Sequence, residues 1–119
     1  MDKKMALTVG QYVKVTVAER VAVVTIDHPP VNALSRAVLQ ELGQAMDALK
    51  TDAAVKVVIL TGAGSLAFVA GADIKEVAQL ASVEAAKEMA ALGHAVLLKI
   101  QRLGKPVIAA INGICLGGG

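Results

Sequence analysis

Two stretches of this sequence carry residues whose types and spacing suit chemistry at a carbonyl: GAGSLAFVAGADIKE, Gly62 to Glu76, and NGICLGGG, Asn112 to Gly119. Both follow an apolar run and are built mostly from Gly, Ala and other small residues. In α/β sheets ligands gather beyond the carboxyl ends of strands, where helix N-termini present free N–H groups. Two such turns side by side bring two backbone donors together. That suits a reaction that builds negative charge on a carbonyl oxygen, where one fixed donor contributes about 3–4 kcal/mol to the transition state. The alternative is that the glycines serve only to pack helix on strand in tight turns, and spacing alone leaves both readings open.

A third reading takes Gly62, Gly64 and Ala67 as a G-x-G-x-x-A dinucleotide fingerprint after a strand. That fingerprint requires a helix to open at once, whereas LAFVAGAD inserts another Ala-Gly turn. The acid expected about twenty residues on would also need a second strand before it.

The elements that must position these turns are legible. YVKVTVAERVAVVTIDH, Tyr12 to His28, reads as a two-stranded hairpin broken at Ala18, Glu19 and Arg20, with Val13, Val15 and Val17 on one face. Pro29 and Pro30 stop it. Ser35 is a candidate N-cap for a helix reaching about Lys50, with Val38, Leu42, Ala45, Met46 and Leu49 on its apolar face. VKVVILTG, Val55 to Gly62, and PVIAAING, Pro106 to Gly113, read as strands buried on both faces. A short helix begins near Asp73. A longer one follows Ser82, with a stripe of Met89, Leu92, Val96, Ile100 and Leu103, ended by Gly104 and Pro106.

Composition narrows the function classes. The chain has 119 residues, 55% of them hydrophobic, with one Phe, one Tyr and no Trp, which favours an aliphatic α/β core. Twelve basic and ten acidic residues are dispersed, without a basic run for nucleic acid. Cys115 is the one cysteine, so no internal disulfide forms. MDKKMALTVGQY holds no apolar stretch of signal or membrane length. The expectation is a cytoplasmic protein with no nucleic-acid or membrane partner.

FVAGADIKE, Phe68 to Glu76, together with PVIAAINGICLGGG, Pro106 to Gly119, resembles the crotonase superfamily, specifically the enoyl-CoA hydratases. HPPVNALS and VVILTGAG are similar to that family as well. The resemblance implies an α/β spiral of ββα units that binds an acyl-CoA thioester, with the thioester oxygen held between the backbone N–H groups of Ala72 and Gly118. It further implies that Ala72, Asp73, Ile74 and Lys75 line the CoA channel, and that the turn of Asn32, Ala33 and Leu34 lies near the pantetheine arm. Coenzyme A enters as part of the substrate, and no cofactor is implied.

The activity implied is syn addition of water to a trans-2-enoyl-CoA in fatty-acid β-oxidation. It needs a carboxylate to activate water and an acid to protonate C2. In the hydratases these are two glutamates that follow the glycine run, so by the resemblance both lie beyond Gly119. Residues 1–119 are therefore expected to be the N-terminal part of one crotonase-like domain, under half of a usual member and inactive alone. The missing part would carry the helices that build trimers or hexamers. A Δ3,Δ2-enoyl-CoA isomerase, another enolate chemistry, or a non-catalytic acyl-CoA-binding fragment are the alternatives.

Other candidates have bland readings beside the sharp ones. Asp73 reads first as a helix-opening acid. Lys75 is either a CoA phosphate ligand or a solvated lysine, and Glu76 lacks any feature of a base. His28 reads as a strand-end residue, His94 as a packing or surface histidine, and Cys115 as a small buried filler. No His, Cys and carboxylate cluster has metal-ligand spacing.

Overall fold

A computed structural model describes residues 5–8 and 10–119. The sequence expectation of no targeting segment falls in part on residues 1–4 and 9, which lie outside the described residues.

The hairpin forms as β2 (Val13–Ala18) and β3 (Val21–Ile26), paired antiparallel from Val13↔Ile26 to Ala18↔Val21. Its two turn residues, Glu19 and Arg20, take φ +50° and +68°, the left-handed geometry that matches strand twist in a two-residue hairpin. A strand that the pattern did not reveal, β1 (Met5–Thr8), pairs antiparallel with β2. β4 (Val57–Gly62) joins β3 in parallel, and β6 (Val107–Ala110) joins β4 in parallel, giving one five-stranded sheet in the order β1-β2-β3-β4-β6.

Helix α1 (Arg36–Thr51) covers the sheet. The Ser35 hydroxyl accepts from Val38 N at 3.1 Å and caps it as the sequence predicted. Its face of Val38, Leu39, Leu42, Ala45, Met46 and Leu49 is buried in one core with Val13, Val15, Val24 and Ile26 of the hairpin. Glu41, on the same helix, accepts from Tyr12 N at 2.7 Å and Val13 N at 3.0 Å, fastening α1 to the start of β2.

The second long helix, α3 (Val83–Gln101), is capped by Ser82 and buries Met89 and Val96. Leu103 is buried beyond its end and Leu92 and Ile100 pack against the core, so the predicted stripe is present. Gly43 of α1 lies under Val96, where an added Cβ would meet Val96 Cγ2 at 3.4 Å. The two helix ends are tied reciprocally. Lys105 Nζ donates to Leu49 O at 2.6 Å and Asp52 O at 2.8 Å, while Lys50 Nζ donates to Arg102 O at 3.3 Å.

Two strand expectations are corrected. β4 is not buried on both faces but alternates, with Val58, Leu60 and Gly62 buried and Val57, Ile59 and Thr61 half-buried. β6 is mostly exposed, Ile108 to 54%. The reason is position: β6 ends the strand order, so it has a neighbour on one side only, and an apolar run cannot tell an interior strand from an edge.

Candidate active site

A second, two-stranded sheet brings the two small-residue turns together. β5 (Ala67–Val69) pairs in parallel with β7 (Ile114–Cys115). Around them Ile114 N donates to Leu66 O at 3.1 Å and Leu116 N to Val69 O at 3.0 Å. The dinucleotide reading fails here, because the segment after Gly64 opens strand β5 rather than a helix.

Two asparagine side chains clamp this junction. Asn112 Oδ1 accepts from Gly62 N at 3.2 Å, and its Nδ2 donates to Gly62 O at 2.8 Å and Gly64 O at 2.9 Å. Asn32, buried at 3% exposure with φ +54°, accepts from His28 N at 3.0 Å and donates to Ala67 O at 3.0 Å. Each asparagine therefore replaces main-chain partners that an irregular loop cannot supply.

The Ala72 turn is held by one parallel bridge. Leu34 N donates to Gly71 O at 2.8 Å, and Asp73 N donates to Leu34 O at 3.2 Å. Those bonds use the peptide groups on either side of Ala72. The Gly71 C=O and the Ala72 N–H belong to one trans peptide and point in opposite directions, so the Ala72 N–H faces away from Leu34. Among the described residues it has no acceptor.

Gly118 packs against the Leu34 side chain. A Cβ added there would come within 2.9 Å of Leu34 Cδ1, so the leucine methyl occupies the space that any side chain at 118 would need. The Gly118 N–H likewise has no acceptor among the described residues. Gly71, at φ +117°, takes a backbone conformation suited to glycine.

Two cavities meet at Ala72. One, of about 390 Å³, is apolar and is walled by Leu34, Ala72, Val77, Leu80, Met89, Leu97 and Gly118, with His94 its only titratable lining residue among the described ones. The other, of about 450 Å³, runs along His28, Pro29, Pro30, Ala33, Asp73, Ile74 and Lys75, with Ala72 again in its wall. Ala33, Leu34, Asp73, Ile74, Lys75 and Gly118 thus each line one cavity or the other, Ala72 lines both, and Asn32 of the same turn lines neither.

Asp73 acts as the helix-opening acid of α2 (Ile74–Ala78): its Oδ1 accepts from Lys75 N at 3.0 Å and Glu76 N at 3.3 Å. Glu76 is occupied elsewhere, accepting from Arg36 N at 2.7 Å and satisfying a free N–H of α1. Ile74 is 82% exposed, and Lys75 is exposed with no side-chain partner among the described residues. His28 does more than end a strand: its ring lies 4.6 Å from that of Tyr12, and Nδ1 donates to Ala33 O at 2.9 Å. That bond assigns the proton to Nδ1, since a carbonyl only accepts. Cys115 is partly buried against the core.

Sequence reasoning missed the α3 contribution to the apolar cavity. Met89 reads from sequence as part of the core stripe, and Leu97 lies outside that stripe. The available signal was Gly93, a glycine inside a helix; a Cβ there would meet nothing within 4 Å, because the cavity lies beside it.

A sequence model of the family described as enoyl-CoA hydratase/isomerase matches residues 16–119. The chain belongs to the enoyl-CoA hydratase/isomerase family. Among its relatives in that family, a probable enoyl-CoA hydratase of Bacillus subtilis is 44% identical over 107 residues, covering 90% of this chain and 41% of the relative. A short-chain-enoyl-CoA hydratase of Clostridium acetobutylicum is 46% identical over 101 residues, or 84% of this chain and 38% of that protein. The crystal structure of an enoyl-CoA hydratase from Bacillus anthracis matches with TM-score 0.87 at 40% identity, over 92% of this chain and 43% of that one. This chain therefore has the crotonase-like α/β fold of the enoyl-CoA hydratase/isomerase family, and it spans about two fifths of the length of the curated relatives it matches.

Proposed function

We propose that this chain builds the thioester-binding part of an enoyl-CoA hydratase that adds water syn to a trans-2-enoyl-CoA in fatty-acid β-oxidation. One observation carries the reading. Ala72, whose N–H has no acceptor among the described residues, lies in the wall shared by an apolar cavity and a cavity bearing Lys75, and Gly118 lies in the apolar wall as well. An acyl-CoA has that division: an apolar acyl chain and a polar, anionic carrier joined at one thioester carbonyl.

With the acyl chain in the apolar cavity and the pantetheine arm past Ala33 and Ile74, the thioester oxygen falls to the Ala72 and Gly118 N–H groups. Both donors are backbone N–H groups fixed before charge develops, so they stabilise the enolate without reorganising. Lys75 is free to meet the CoA phosphates. The apolar cavity has no carboxylate in its wall among the described residues, so this reading assigns the two proton-transferring glutamates to the remaining length of the family fold. An isomerase would use the same two donors, because it too passes through a thioester enolate. The reading includes a cytoplasmic, cofactor-free protein that assembles as a homotrimer or hexamer.

Replacing Ala72 with Pro removes one donor. In the protein that hydrates crotonyl-CoA, A72P is expected to lower kcat by about 100- to 1000-fold, the usual loss for one such donor, with the thermal midpoint measured alongside. Turnover within a few fold of the parent would show that the Ala72 N–H does not hold the oxyanion.

A further inference from the structure

We infer that Leu34 is the positioning residue that sets the gap between the two oxyanion donors, and so tunes catalysis apart from binding. The inference rests on the thioester reading above. Leu34 touches both donor turns: its N–H and C=O bond the peptides flanking Ala72, and its Cδ1 methyl packs against Gly118, while the main chains of the two turns also meet directly, Leu116 N donating to Val69 O at 3.0 Å and Gly117 lying against Gly71. One donor is thus fixed to its main chain and the other rests on its side chain.

Residue 34 is itself held from both directions. On one side Asn32 anchors the turn through His28 N, Ala63 O and Ala67 O. On the other, Ser35 is the N-cap of α1, committed to Val38 N. A spacer fixed at both ends transmits its side-chain length to whatever rests on it. Gly118 has no Cβ with which to fill the space left by a shorter residue 34. Shortening that side chain lets the Gly118 turn shift into the vacated space while the Ala72 bridge, made only by main chain, stays intact.

Two donors to one oxygen must each lie about 2.7–3.1 Å from it. A mismatch in their spacing therefore weakens charge stabilisation without removing either donor.

The test compares L34A, L34V and L34M with the parent in the complete enzyme, with the remaining length of the family fold present, using kcat and KM for crotonyl-CoA, the thermal midpoint, and the infrared C=O stretch of bound butyryl-CoA, which cannot be hydrated. L34A is expected to lower kcat about 10- to 100-fold, on the scale of a misplacement of about 1 Å. KM should stay within about threefold, and the hydrogen-bonded downshift of the butyryl-CoA carbonyl should shrink. L34M, which keeps a methyl at similar reach, should restore both readouts. L34V should fall between, and it carries the same test if L34A does not fold.

A rise in KM with kcat and carbonyl stretch unchanged would leave Leu34 only its place in the cavity wall and overturn the proposal. Equal damage in L34A and L34M with the carbonyl stretch unmoved would overturn it in favour of a purely structural role. If the parent does not hydrate crotonyl-CoA yet its butyryl-CoA stretch still responds to L34A, the hydratase reading fails while the positioning role stands.

Discussion

Helices α1 and α3 are similar in length and both carry an apolar stripe, but they use it differently. α1 buries Val38, Leu39, Leu42, Gly43, Ala45, Met46 and Leu49 within 16 residues, whereas α3 buries only Met89 and Val96 within 19. Part of the remaining α3 apolar surface, Ala86, Ala90 and Leu97, lines the cavity that also holds Ala72 and Gly118. The same kind of periodicity thus serves adhesion in one helix and a concave wall in the other. Solvent-excluded neighbours decide which, and periodicity does not encode neighbours.

Breaking α1 should have the largest effect on the fold. Met46 is wholly buried, so M46A is expected to lower unfolding free energy by about 2–5 kcal/mol, read from urea denaturation. A loss under about 1 kcal/mol would mean that α1 is not the adhesive helix. The equivalent cut in α3 should instead register in substrate handling. Leu97 is 47% exposed, so L97A should change stability by no more than about 0.5 kcal/mol. It should raise KM for hexenoyl-CoA about tenfold, given roughly 0.8 kcal/mol per buried methylene and incomplete burial. An unchanged KM would sever Leu97 from the acyl wall.

The smallest effect belongs to the link between the helices, the Lys99–Asp47 ion pair at 2.8 Å. Both side chains are well exposed, so D47N should cost about 0.2–1 kcal/mol at low ionic strength and nothing measurable at 1 M NaCl. A loss that persists in high salt would point to an interaction other than charge.

Most elements were legible because each carries its own local signal: serine caps at 35 and 82, alternation in the hairpin, a glycine stop at 104. The short strands β1, β5 and β7 were not. Two to four residues give no period to detect, and β5 and β7 are strands only because they find each other across the fold.

The site divides the same way. Small-residue composition marked the turns of Ala72 and Gly118, and motif resemblance named the two donors. The acyl wall on α3 went unread, since Met89, Gly93 and Leu97 resemble core until the empty space beside Gly93 is seen. Glu76 and Asn32 show the reverse case. Both stand inside motif segments, yet one side chain caps α1 and the other braces a loop carbonyl.

The Asn112 side chain adds one rung to the parallel ladder of β4 and β6 beyond its last main-chain pair, Thr61↔Ala110, by meeting both the N–H and the C=O of Gly62. A slip of β6 by one residue would carry the chain about 3.3 Å along β4 and invert its faces, and it would forfeit both of those bonds at once. Asn112 is thus a registration pin, and it fixes the phase at which the following residues leave the sheet, which determines where Gly118 arrives.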